Sequence, residues 1–424
     1  MDVSLLAIIA FSIMAFGMIS GRIEKTPISP PMIFVAMGLL LSPVALGWLH
    51  LELESELFQL LAELTLVLVL FTDASRIDLG LLWRQHDLTV RLLALGMPLT
   101  ILLGGLAAFL ILDQLSFWQM ALLAAILTPT DAALGQAVIS NKMVPLRIRQ
   151  TLNAESGLND GIALPVVVIM ASCLGTSGLS EGTGYWTVFT LKQVILGPLA
   201  GVAVGYFGGR LVMLGQRSGW MNHSFQDLSA IGLSLAAYTL AELAGGNGFI
   251  AAFSAGLTLG NTARQVCRCL YEFAEAEGQL LTLLVFLTFG ALMVPAALEQ
   301  ADAPTVLYAL ASLTVVRVVP VWLSLTGTGL RWDTRLFLGW FGPRGIASIL
   351  FSLLVIDQAG LIAQPLSPIV TLTVLFSILA HGMTAYPAAL WYSRRTGQAR
   401  QAAEHTPVPE MPVRIRHGAA GRGH

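Results

Sequence analysis

Charge is what this sequence lacks most. Aspartate, glutamate, lysine and arginine make up 11% of its 424 residues, against 55% hydrophobic, where soluble domains typically carry about 25% charged residues. That scarcity excludes an ordinary water-soluble globular protein and leaves an all-α polytopic membrane protein. Cysteine is also sparse, with only Cys173, Cys267 and Cys269. No four-ligand zinc spacing exists, and Cys267 and Cys269 flank Arg268 in a predicted cytosolic loop, so they are read as reduced and structural. The net charge of −2 comes with no basic stripe, so no nucleic-acid partner is expected. The first twenty residues are apolar but lack a basic n-region and a small-residue cleavage site, which predicts a retained span. Glycine, by contrast, is abundant at 41 residues, as expected of helices packed closely in lipid.

Taking about 20 residues per crossing, the apolar runs predict thirteen spans. They fall near 3–20, 28–45, 56–73, 89–112, 117–140, 148–173, 187–213, 225–244, 248–260, 278–297, 304–326, 335–356 and 366–392. Of the 23 lysines and arginines, Lys192, Arg317 and Arg344 lie within or at the edge of spans. The rest fall in alternate connections or beyond span 13, and the intervening loops, such as Leu51–Glu56 and Leu298–Asp302, are acidic or neutral. The positive-inside bias then predicts an external N-terminus and a cytoplasmic C-terminus. Thirteen divides as six, one and six. Spans 5 and 12 hold corresponding places, and both are interrupted, at Thr128-Pro129-Thr130 and at Gly342-Pro343-Arg344-Gly345. Matched interruptions predict an inverted repeat whose broken helices cross at the midplane. Residues 393–424 are polar and predict a disordered cytosolic tail.

The densest chemistry lies in span 6. Asn153-Ala154-Glu155-Ser156-Gly157-Leu158-Asn159-Asp160-Gly161 places two carboxylates, an amide and a hydroxyl within six residues at membrane depth. Ionisable groups are costly in hydrocarbon and mark ion paths. On a helix, Ser156 and Asp160 share a face, and Glu155 and Asn159 share the neighbouring one. Gly157 and Gly161 form a Gly-x-x-x-Gly spacing that admits a close partner, for which span 5 is the natural candidate. Pro165 donates no bond to the Gly161 carbonyl beside Asp160. Broken-helix carbonyls suit a monovalent cation. Asp160, in a half-wet cavity, is predicted to bind either a cation or a proton, and competition for that one charge gives coupled exchange. Glu155 is expected to be structural, paired with Arg317, or failing that with Arg344. Arg344 is equally suited to hold half-helix C-terminal carbonyls.

These residues resemble the NhaP-type sodium/proton antiporters, the electroneutral branch related to the animal sodium/proton exchangers. The resemblance rests on Thr130-Asp131, Glu155-Ser156-x-x-Asn159-Asp160 and Gly342-Pro343-Arg344-Gly345, with weaker support from Phe71-Thr72-Asp73 and His381-Gly382, and covers residues 1–395. It implies a homodimer in a bacterial inner membrane. Residues 88–175 (spans 4–6) and 303–392 (spans 11–13) would form the transport core; residues 1–75 and 186–300 would form the dimerisation scaffold and linker helix, and 393–424 the tail. By the same resemblance Asp160 is the carrier, with Ser156, the Thr130 backbone and Asp73 lining the site, Asn159 standing where electrogenic relatives have an aspartate, and Glu155 paired with Arg317. No resident cofactor is expected; the cation (Na+, Li+ or K+) and H+ are substrates.

Blander readings stand beside these. Asp131 either touches the ion or only offsets a helix dipole. Ser156 either ligates or back-bonds to the Leu152 carbonyl. Asp73 either ligates or is interfacial beside Arg76 and Asp78. His381 reads as a hydrogen-bonded core residue rather than a pH sensor. A passive cation channel and a transporter-fold sensor are the competing functions. Enzymatic activity is not expected, because no nucleophile–base pair, zinc motif or cofactor loop is present.

Overall fold

The computed structural model describes residues 3–23, 26, 28–48, 56–85, 87–176, 183–263, 278–396 and 403–408. The loop holding Arg264, Cys267, Arg268 and Cys269, most of the acidic 51–56 loop and residues 409–424 lie outside the described residues. All regular structure among the described residues is helical. In chain order the helices are α1 (Val3–Ile23), α2 (Pro30–Leu41), α3 (Glu56–Ser75), α4 (Asp87–Ile111), α5 (Phe117–Ile126), α6 (Ala132–Ile139), α7 (Leu146–Thr176) and α8 (Thr183–Arg217). They continue with α9 (His223–Leu243), α10 (Gly248–Thr262), α11 (Gly278–Glu299), α12 (Ala303–Ser324), α13 (Trp332–Trp340), α14 (Ile346–Ala359) and α15 (Leu366–Thr396). Among the described residues six are long and apolar enough to cross a membrane: α4, the Leu146–Leu174 part of α7, the Val188–Arg217 part of α8, α11, α12 and α15.

Two pairs of short helices flank the expected interruptions. α5 opens with a capping box, Ser116 and Gln119 each bonding the other's backbone N–H,. It stops at Ile126 because the ring of Pro129 disfavours helical geometry at Thr128 and brings no N–H of its own. The chain stays extended to Asp131, which opens α6 as its N-cap. α13 ends at Trp340, and Phe341 to Gly345 run non-helically into α14. Around these breaks α7, α12 and α15 supply the walls. On the far side of α7, Gly256 and Gly260 of α10 sit against the Phe71 and Ser75 carbonyls of α3, where any Cβ would strike backbone. Absent side chains here set the helix spacing.

Two described pieces of residues 393–424 are ordered, where composition predicts disorder. Residues 393–396 continue α15 as helix, held by Tyr392, whose ring stacks on Phe337 at 4.2 Å and whose hydroxyl meets Thr334 Oγ1 at 2.9 Å. Residues 403–405 form a 3-10 turn docked on the core. Glu404 is fully buried there, accepting from Arg331 N–H (3.0 Å) and Thr334 Oγ1 (2.7 Å), while Arg147 Nη1 donates to the Ala403 carbonyl (2.7 Å). Polar composition predicted disorder, but these atoms find specific partners at the open ends of α7 and α13.

Candidate functional site

The two interrupted segments cross, and three of their four half-helix ends are satisfied within the crossing. At the C-terminal end of α5, Arg344 Nη1 donates to the Thr128 carbonyl at 2.6 Å and the Pro129 carbonyl at 3.3 Å. Ser348 Oγ donates to the Ile126 carbonyl at 2.8 Å. Arg344 is fully buried, and a guanidinium there complements the negative end of a helix dipole. The two N-terminal ends share one carboxylate. Asp131 Oδ1 accepts from Ala133 N–H in α6 (2.7 Å), and Oδ2 accepts from Ile346 N–H in α14 (2.9 Å). The Asp131 N–H in turn donates to the Pro343 carbonyl (2.8 Å). Bare backbone at membrane depth is tolerated only when re-satisfied in this way.

The glycines of Gly342-Pro343-Arg344-Gly345 serve side chains from elsewhere. A Cβ on Gly345 would run into the Asp131 carboxylate, and one on Gly342 into the Arg317 guanidinium. Gly345 has a φ of −151°, so space rather than backbone freedom demands glycine there.

α7 lays its polar face against the first break. Ser156 Oγ and Thr130 Oγ1 are hydrogen-bonded at 3.0 Å, and Asn159 Nδ2 donates to Thr130 Oγ1 at 2.6 Å. Asp160 lies beyond Asn159 on the same helix and is 7% exposed. Glu155 meets Arg317 of α12 at 2.6 Å, both side chains being almost wholly buried. Glu155, Ser156, Asn159, Thr130, Asp131, Arg317 and Arg344 are thus brought into one buried polar core. Asp73 stands apart, lining a small cleft with Arg76, Ile77, Ala132, Asn153, Ala154 and Gly157. That cleft enters the core beside α7, at the end of α3.

The glycine spacing has a different partner from the one expected. Gly161 lies against the Phe253 ring of α10, and Gly157 against Ile77 and the Asp73 carbonyl after α3. Span 5 meets the opposite, hydroxyl-bearing face of α7, because hydrogen bonds to Thr130 need polar side chains where close backbone approach needs none. Glu242, which the sequence left unplaced, accepts from Gly248 N–H at the start of α10 (2.7 Å). Ser348 at the crossing carried no sequence signal, since a serine in an apolar helix is common.

Ser156, Thr130 and Asn159 gather two hydroxyls and an amide at the break, hard donors suited to a small cation and not to a soft transition metal.

The sequence model for the family described as the transmembrane sodium/hydrogen exchanger matches residues 8–391. A K(+)/H(+) antiporter NhaP of Alkalimonas amylolytica is 28% identical over 365 residues, covering 85% of this chain and 62% of the relative. The sodium, potassium, lithium and rubidium/H(+) antiporter of Bacillus subtilis is 26% identical over 332 residues, covering 77% and 48%. The chain therefore spans under two thirds of the length of these relatives. Among solved structures, the sodium proton antiporter MjNhaP1 of Methanocaldococcus jannaschii superposes with a TM-score of 0.74 at 20% identity, over 92% of this chain and 99% of that one.

Proposed function

The chain belongs to the sodium/hydrogen exchanger family, and from that premise we propose that it is a secondary active antiporter exchanging a monovalent cation for H+. One cation and one proton compete for the Asp160 carboxylate, with Ser156, Thr130 and Asn159 completing the oxygen shell. The observation that carries this reading is the polar cluster where α7 meets the first break: Ser156 Oγ and Asn159 Nδ2 both bond Thr130 Oγ1, and the buried Asp160 follows Asn159 on the same helix. An exchange of one for one moves no net charge. The cleft lined by Asp73 and Asn153 is the cytoplasmic approach, given the positive-inside orientation.

Sodium, lithium and potassium are all candidate cargo, since antiporters of each kind stand among the relatives. The fuller architecture belongs to the same proposal: thirteen spans in an inverted repeat, a core of residues 88–175 and 303–392 moving past a scaffold, and a homodimer in the bacterial inner membrane. The test uses inside-out vesicles holding a pH gradient, to which sodium, lithium, potassium or choline chloride is added. Cation-specific collapse of the gradient in wild type, abolished in Asp160→Asn, is expected. A full response in the inserted Asp160→Asn protein overturns the mechanism.

A further inference from the structure

In a continuous helix the Arg344 N–H would donate to the carbonyl four residues earlier, that of Trp340. The break at Phe341–Gly345 removes this bond, and two side chains of α15 stand between its separated ends. Arg344 N–H donates to Ser377 Oγ at 2.7 Å, Ser377 Oγ lies 3.2 Å from His381 Nδ1, and His381 Nε2 lies 2.8 Å from the Trp340 carbonyl. Nδ1 also lies 2.9 Å from the Ser377 carbonyl, so the ring stands between two backbone carbonyls, that of Ser377 on its own helix and that of Trp340 at the end of α13, and toward either of them the ring nitrogen is the donor. Ser377 and His381 thus stand between Arg344 N–H and Trp340 C=O, the hydroxyl holding the first and the ring reaching the second. We infer that Ser377 and His381 are positioning residues for transport, a side-chain splint that replaces the missing helical hydrogen bond of the second break.

Three features make this more than packing. Ser377, His381 and Thr384 sit at i, i+4 and i+7 on one face of α15, and Thr384 Oγ1 takes the Trp340 indole N–H at 3.0 Å, so the stripe grips Trp340 twice. The ring is 1% exposed and stacks on Trp340 with centroids 5.1 Å apart. The Trp340 carbonyl also accepts from Gly342 N–H, so the splint holds a turn with little helix of its own. The residue fixed at the far end is Arg344, whose guanidinium caps α5, and two residues on Ile346 N–H reaches Asp131. A slackened splint therefore displaces the whole crossing, and misplacement of about 1 Å away from the reacting groups costs up to about a hundredfold in rate.

The inference rests on the proposed exchange for one of its two readouts only. In the first, cation-dependent gradient collapse is measured for wild type, H381L, H381Q, S377A and S377T. The amide introduced by H381Q can donate to the Trp340 carbonyl and accept from Ser377, and S377T keeps the hydroxyl. The expected result is a maximal rate down about tenfold or more in H381L and S377A, cation KM little changed, and recovery to within about threefold in H381Q and S377T. Wild-type rates in folded S377A, or H381Q as impaired as H381L, overturn the splint. In the second readout, thermal denaturation of S377A, H381Q and S377A/H381Q in detergent needs no transport. A shared bridge predicts a double variant less destabilised than the sum of the singles, and strict additivity overturns it. Should wild type move no cation, the exchange reading falls, and the thermal cycle alone decides the splint. Should H381L fail to insert, S377A against S377T decides it.

Discussion

Neutralising Glu155 should harm this protein more than removing the arginine it pairs with. The pair is nearly dry, with side chains 3–4% exposed and a 2.6 Å contact. Breaking such a pair by removing one partner costs about 3–5 kcal/mol, because the other charge is left buried. Here the two single changes are unequal. Arg344 lies within electrostatic reach of Glu155, so Glu155→Gln takes away the carboxylate that both guanidiniums share. Arg317→Met leaves Glu155 facing Arg344, one charge of each sign, and its thioether chain still fills the space beside Gly342. With an effective dielectric near 20, a Coulomb interaction between neighbouring unit charges is worth about 3–4 kcal/mol, enough to order the two variants. Glu155→Gln is expected at about 3–5 kcal/mol of destabilisation and Arg317→Met at about 1–3. The double variant should lie below Glu155→Gln alone, since the bare cation is gone. Thermal denaturation of purified protein in detergent, with fixed lipid, measures all four proteins. An Arg317→Met loss as large as that of Glu155→Gln, with an additive double, would refute the reasoning.

Other substitutions test the crossing and its cytosolic anchor. Gly345→Ala should drive a methyl into the Asp131 carboxylate and dislodge its bond to Ile346 N–H; a loss of about 1–3 kcal/mol is expected, read by the same melt, and an unchanged melting temperature would remove the steric argument. Glu404→Ala should strip acceptors from Arg331 N–H and Thr334 Oγ1 at about 1–3 kcal/mol, and should raise protease sensitivity of the C-terminal segment. Asp333 supplies a pH test. Burial pushes its carboxyl up, but the Arg331 hydrogen bonds and charge outweigh this and hold it below its ordinary value of 3.8. A depressed folded value means stability fully present above that ordinary value and lost as pH falls through the folded one. Wild type should therefore exceed Asp333→Asn in stability near neutrality, and the gap should close below about pH 4; a constant gap across that range would show that the charge is irrelevant.

The legible part of the site follows from scarcity. A span that buries Glu155 needs a buried cation, and besides Lys192 near the start of span 7 only Arg317 and Arg344 lay within the later spans, so the pair could be named before any coordinates. Arg344 beside half-helix carbonyls was legible for a similar reason, because a break at membrane depth leaves carbonyls needing a donor. The contacts that escaped involve residues with several ordinary uses. His381 in an apolar helix looks like core, and Ser377 looks like any small helical residue. Their role depends on Trp340 and Arg344 lying opposite them, more than thirty residues away in sequence. Asp131 was readable as a cap for its own half-helix, but not as the cap for α14, since Ile346 is 215 positions distant. Glu404 sat in a polar segment whose composition predicts disorder, and composition carries no information about one buried socket.

The two breaks solve the same backbone problem differently, and the difference bears on where an ion can pass. At the second break α15 supplies an imidazole and a hydroxyl that join Arg344 N–H to Trp340 C=O, so side chains stand in for the lost helical turn. At the first break, among the described residues, no such splint bridges Leu127 and Asp131. The Asp131 N–H goes instead to the Pro343 carbonyl of the other segment, and α7 touches the break through the Thr130 hydroxyl, with Ser156 and Asn159. Those contacts are made by oxygens and an amide that can also face a cation, and reorienting hydroxyls costs far less than breaking a ladder bond. One crossing segment is therefore tied to its own flanking helix and rigid, while the other meets its flanking helix through exchangeable ligands. On the exchange proposed above, Asp160 on α7, beside the exchangeable break, would let cation and proton trade places without disturbing the contacts of Asp131 and Arg344 at the crossing. This asymmetry explains why substitutions at Ser156 or Thr130 should alter cation preference, whereas those at Ser377 or His381 should lower the rate for every cation alike.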